Sequence, residues 1–167
     1  SAKANLRNPE YWFINGITYS ARGIYSPSFR LNSCSVFDSN GSSIFPTKNS
    51  PNNTKLLLGY ISSKLLKFIL KNYCGHTIAS EVDELKELPI DFYYKNNYLL
   101  IEIIDTIIKN QKSNPRYDYA SHEQIEIDKL VYEAYGLNTD DVLEVENWYA
   151  RRYPKLSAAQ KANLRAL

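Results

Sequence analysis

NTKLLLGYISSKLLKFILKN, residues 53–72, is the stretch on which the fold turns. Leu57, Ile61, Leu65 and Phe68 recur at the spacing of one helix face, while Lys64, Lys67 and Lys71 gather on another. The pattern predicts an amphipathic helix from Asn53 or Thr54 to about Asn72, closed by Gly75. The residues N-terminal to it read as strands. Tyr11 to Ser20 is aromatic and β-branched, and Gly16 within it signals a bulge or a close backbone approach. Ile24 to Leu31 contains Pro27, which makes it an edge or kinked strand. Ser35 to Phe45, with Asn40-Gly41 at its centre, predicts a hairpin.

The residues C-terminal to it read mainly as helices. Leu88-Pro89-Ile90 reads as a last strand, and Asp91 is placed to cap a helix striped by Leu99, Leu100, Ile103, Ile104, Ile107 and Ile108. Ser121 with Gln124 predicts a capping box, Thr139 caps a helix running to Arg152 and stopped by Pro154, and Ser157 with Gln160 caps a short last one. The expected fold class is α+β: a small mixed sheet with a packed helix over 1–110, a linker over 111–120 and a helical C-terminal tail over 121–167.

The net charge of +2 conceals an asymmetry. Residues 1–80 carry nine Lys/Arg against two carboxylates, a net of +7, whereas residues 81–167 carry eleven against sixteen, a net of −5. No carboxylate occurs between Asp38 and Glu81, a window holding five lysines. Such an imbalance suits a polyanionic partner for the first half, and a solvated basic face accounts for it equally well. No apolar run is long enough to span a membrane, and two cysteines with two histidines make neither a disulfide framework nor a metal pattern. A reduced, cytoplasmic protein is expected. With no methionine, and Ser1-Ala2 at its start, the sequence is expected to be a piece of something longer.

The catalytic candidates fall away individually. Asn8-Pro9-Glu10-Tyr11 is similar to the Asn-Pro-Pro-Tyr motif that holds a flipped base in amino-methyltransferases, but its third residue is Glu. Glu84-Leu85-Lys86 lacks the upstream carboxylate that a shared metal ion needs. His76 and His122 lack partners at triad or zinc spacing. Neither a catalytic nor a metal residue is assigned.

Contacts to double-stranded DNA fit the local chemistry better. Ser20-Ala21-Arg22-Gly23 is a small basic loop from which an arginine can reach guanine bidentately, and Tyr25 beside it can stack. His76, Thr77 and Ser80 lie just past the basic helix. Ser20, Arg22, Tyr25, His76, Thr77 and Ser80 are therefore the candidates for base readout. Lys48, Asn52, Asn53 and Lys55 approach a helix N-terminus, which suits phosphate, and Arg30 and Lys64 complete the candidates for the DNA backbone.

An ordered set of phrases goes further: Gly16-Ile-Thr-Tyr-Ser20, Val36-Phe-Asp38, Gly41-Ser-Ser-Ile-Phe45, Leu57-Leu-Gly-Tyr-Ile-Ser-Ser-Lys-Leu65, Leu88-Pro-Ile90 and Glu126-Ile-Asp-Lys-Leu-Val-Tyr-Glu-Ala-Tyr-Gly-Leu137. Together they resemble the target-recognition domains of large adenine methyltransferases, namely the type IIG and IIL restriction-modification enzymes and the BREX-type phage-exclusion enzymes. A similar order appears in type I specificity subunits. The resemblance implies a specificity module that positions duplex DNA for catalytic domains of the same parent chain. The parent would be an N6-adenine methyltransferase using S-adenosylmethionine, with or without endonuclease activity. No cofactor is implied for these residues themselves. The rival expectation is a protein-interaction module that uses the basic helix and the helical tail.

Overall fold

The computed structural model describes residues 8–22, 25–33, 35–37, 41–47, 50–75 and 80–166. The fold is α+β: a small antiparallel sheet and seven α-helices among the described residues. The sheet comprises β1 (Gly16–Tyr19), β2 (Phe29–Asn32) and β3 (Ser43–Ile44), in the order β2-β1-β3. A mixed sheet is expected from the sequence, but both pairings are antiparallel, with Thr18 opposite Arg30 on one side and Ile17 opposite Ile44 on the other. The expected hairpin within 35–45 does not close on itself among the described residues. Its second arm pairs with β1 instead, where Thr18 donates to the Ser42 carbonyl at 3.1 Å. Gly16 marks the close approach its position suggests: a Cβ there would stand 2.7 Å from the Phe45 ring and 2.8 Å from the Ile44 carbonyl oxygen.

The helix predicted over 53–72 is two helices. α1 (Pro51–Ser62) begins earlier than expected, because the Ser50 hydroxyl accepts the Asn53 N–H and Pro51 supplies the first-turn φ. At Ser63 the backbone turns extended, and its hydroxyl caps α2 (Lys64–Ile69) by accepting the Leu66 N–H. A π-helical turn, Leu70–Cys74, ends at Gly75. The break changes which faces are buried. Leu56, Leu57, Leu58, Tyr60, Ile61, Leu65, Leu66 and Leu70 are all core residues, so α1 and α2 run through the interior rather than lying on it. Full burial of each such side chain contributes about 1.5–3 kcal/mol.

Around this axis pack α3 (Val82–Lys86), α4 (Asn97–Ser113), α5 (Glu123–Ala134), α6 (Thr139–Arg152) and α7 (Pro154–Ala166). Leu88-Pro89-Ile90 is not a strand. Leu88 is buried, and the Pro89 carbonyl accepts the Tyr135 hydroxyl. Asp91 does not cap α4 either: its carboxylate accepts the Tyr93 N–H, and the helix starts only at Asn97, whose side chain joins the Tyr60 hydroxyl to the Asp91 carbonyl. The later caps shift similarly. Asn138, not Thr139, caps α6, and α7 starts at Pro154 rather than Ser157. Ser121 and Gln124 form no capping box, since Gln124 reaches Asp128 and the Ser62 carbonyl.

The helices beyond residue 120 do not stand apart. Ile127, Val131 and Val145 belong to the same core cluster as Ile17, Leu57 and Leu100, and α4 runs to Ser113, into the expected linker. No described helix is long and apolar enough to cross a membrane. Because the Ile44 carbonyl cannot move without breaking the β1–β3 ladder, Gly16→Ala is expected to cost on the order of 1–3 kcal/mol. The readout is a lowered urea midpoint at unchanged slope, and an unchanged midpoint would contradict this packing.

Candidate nucleic-acid interface

The first candidates lie just past the end of the central strand and on β2 beside it. Ser20 and Arg22 come directly after β1 and are exposed, and Arg30 on β2 is exposed as well. Neither arginine makes an ion pair among the described residues. The Ser80 N–H donates to the Ala21 carbonyl at 2.7 Å, which joins the Arg22 segment to the C-terminal end of the 76–80 segment. Of the second stretch singled out for base readout, Ser80 thus lies against the first. Ser80 itself is buried, and its hydroxyl accepts from the Lys71 ammonium at 3.3 Å, so it braces this junction rather than facing outward. Burial lowers the Lys71 pKa, and the nearby Glu84 carboxylate opposes that shift. His76, Thr77 and Lys48 lie outside the described residues.

Tyr25 is 54% exposed, and its ring lies 5.3 Å from that of Tyr153, which in turn stacks on Tyr149 at 4.6 Å. It reaches the α6–α7 corner while staying more than half exposed. Asn52 is exposed in the first turn of α1, whereas Asn53 is half-buried and spends its N–H on the Ser50 cap.

Two of the backbone candidates are already partnered. Lys55 sits 2.6 Å from Asp105 of α4. Lys64, expected on a solvent-facing basic side, is 4% exposed. Its ammonium lies 2.8 Å from Glu146 of α6 and 3.7 Å from Asp128 of α5, and 4.9 Å above the Tyr149 ring. An ammonium so enclosed cannot reach a phosphate, and Lys64 leaves the set of DNA contacts. Lys67 is half-buried, and desolvation lowers its pKa. The basic helix is thus largely turned inward, and the second half of the chain neutralises part of the first.

Sequence reasoning misses this ion cluster. Asp128 accepts the Lys64 backbone N–H at 2.8 Å, the donor freed by the break at Ser63, and also the Gln124 amide at 3.1 Å. The Tyr132 hydroxyl donates to Glu146 at 2.9 Å, and burial raises its pKa. One signal is present: Gln124, Ile127, Asp128 and Val131 fall on one face of α5, so a carboxylate interrupts an apolar stripe and needs a buried partner.

The other motifs find structural roles. Asn8-Pro9-Glu10-Tyr11 forms a short 3-10 turn in which Tyr11 stacks on Phe45 at 5.2 Å. Glu84 caps α3 by accepting the Glu81 N–H. His122 is exposed, with Nδ1 2.8 Å from the Asp118 carbonyl. No group of three or more metal-ligating side chains occurs among the described residues. No protein-family model matches the chain, and no curated protein matches it.

Burial raises the Asp128 carboxyl from 3.8 to about 6, opposed chiefly by the Lys64 ammonium. The folded state then holds this proton more tightly than the unfolded chain does. The stability Asp128 contributes is present below about pH 4 and is lost as pH rises through 6. Asp128→Asn is expected to remove that slope, so the difference between its stability-versus-pH curve and the parent's should change between pH 4 and 6 and be flat outside that range. Parallel curves across that range would contradict the buried, ionising carboxyl. Lys64→Met, which strands both carboxylates, is expected to cost about 3–5 kcal/mol in chemical unfolding.

Proposed function

We propose that the chain is a sequence-specific recognition module for double-stranded DNA, of the kind that serves bacterial adenine methyltransferases. On this reading it holds the duplex for a catalytic domain elsewhere in its parent, and the S-adenosylmethionine chemistry belongs to that domain. One observation carries the reading: Ser20 and Arg22 stand exposed just past β1, with exposed Arg30 on the adjoining strand, and the buried Ser80 braces this junction through its N–H to the Ala21 carbonyl. Exposed arginines without carboxylate partners are the groups that read guanine or grip phosphate.

Roles divide by position. Arg22 extends beyond β1 beside the small Ser20 and is assigned to a base edge; Tyr25, more than half exposed, is assigned to stacking. Arg30, held within the strand ladder, is assigned to the backbone together with Asn52 at the α1 N-terminus. Lys55 reaches phosphate only by exchanging Asp105 for it.

Selection from a randomised duplex pool at low and moderate salt tests the proposal. One short asymmetric motif is expected to be enriched, with affinity falling steeply as salt rises. On the selected duplex, Arg22→Ala is expected to cost about 1–3 kcal/mol and relax the preference at one position. Arg30→Ala is expected to weaken every sequence alike and to reduce the salt slope by about 1. Arg22→Ala binding all sequences as the parent does would remove the readout assignment. No binding at low salt would overturn the proposal in favour of protein interaction.

A further inference from the structure

The ladder of β1 determines what the outer edge of β2 offers. In antiparallel pairing the N–H and C=O of a residue point to the same side, and successive residues alternate. The Tyr19 N–H donates to the Ser42 carbonyl at 3.1 Å, so residues 17 and 19 face β3, and residues 16 and 18 face β2. Their partners Asn32 and Arg30 therefore spend their backbone groups on β1, and those of Phe29 and Leu31 point outward. Among the described residues these outward groups have no backbone partner. β2 thus presents an open edge.

That edge opens onto a cleft of about 700 Å³ between β2 and α4. Leu58, Ile104, Ile107 and Ile127 form its floor, and its charged lining residues are Arg30 and Lys112, both cationic. An open strand edge beside an apolar trough is the geometry in which an extended peptide adds to a sheet, through main-chain hydrogen bonds for affinity and alternate side chains for specificity. Leu31, 39% exposed, is already a solvated apolar surface there.

We infer that the outer edge of β2 docks an extended, acidic segment of a partner protein, which adds as a fourth strand and lowers alternate apolar side chains into the β2–α4 cleft. The cationic rim selects carboxylates. It also disfavours a second copy of this chain, because an isologous antiparallel β2–β2 pairing would bring the two Arg30 side chains close together. The surface shares Arg30 with the proposed duplex contacts, whereas Lys112 belongs to it alone, which makes Lys112 the residue to test.

The probe is a phage-displayed library of random decapeptides selected on the intact chain, then fluorescence anisotropy with the most enriched peptide. Enriched sequences are expected to alternate apolar residues with Asp or Glu. Lys112→Glu, at an exposed site that the fold does not depend on, is expected to weaken binding at least about tenfold. N-methylation of alternate peptide amides is expected to abolish it, since it removes the ladder donors. Failure to enrich any peptide, or binding indifferent to both changes, would overturn the inference. An equal loss of duplex affinity on Lys112→Glu would assign the cleft to nucleic acid and overturn it too. A concentration-dependent dimer that excludes the peptide would assign the edge to a second copy, with the same consequence.

Discussion

Lys64 and the two carboxylates around it are the constraint on which the rest of the structure depends. The chain enters the interior as α1, breaks at Ser63 and leaves as α2, and the break frees the Lys64 N–H at a buried position. Asp128 of α5 takes that donor at 2.8 Å, while Glu146 of α6 takes the ammonium of the same residue. Two helices, α5 and α6, are thereby fixed to one point of the central axis. Burying such charges carries a desolvation cost of several kcal/mol per ion, and the geometry must offset it. Here the offset includes the Tyr132 and Gln124 hydrogen bonds and the Tyr149 ring beneath the ammonium. The cluster contributes specificity of helix placement more than net stability.

The same contacts reinterpret the charge asymmetry. A +7 half and a −5 half suggest an external polyanion, yet Lys55 and Lys64 are neutralised internally by Asp105, Asp128 and Glu146. Complementary halves fold onto each other. Part of the basic first half is thus a folding device, and among its described residues the cations left exposed are Arg22 and Arg30, at the sheet. The functional proposal rests on this remainder and not on the total.

The α+β class, the helical second half and the close approach at Gly16 are legible in the sequence, because each has a local cause, whereas the strand expected over 24–31 begins only at Phe29, past Pro27. The break at Ser63 is not legible. Ser62-Ser63 within an apolar run reads as two tolerated helix interior residues, and only the distant acceptor on α5 makes Ser63 a cap. The pairing of β3 is hidden for the same reason: Asn40-Gly41 is a strong local hairpin signal, but the choice of partner strand depends on β1, more than twenty residues upstream. Helix starts move by a few residues wherever two capping side chains compete, as Asn138 and Thr139 do. Among the candidate contacts, the exposed ones lie in turns and strand ends, where chemistry is local. Lys64 fails as a contact because the burial of a lysine is decided by tertiary packing.

Amide hydrogen exchange with and without a selected DNA duplex tests the account most directly. Slowed exchange is predicted at 20–22, at 80 and along β2, with the amides of α6 and α7 unchanged. Protection confined to the acidic helices, or none anywhere at low salt, would contradict it.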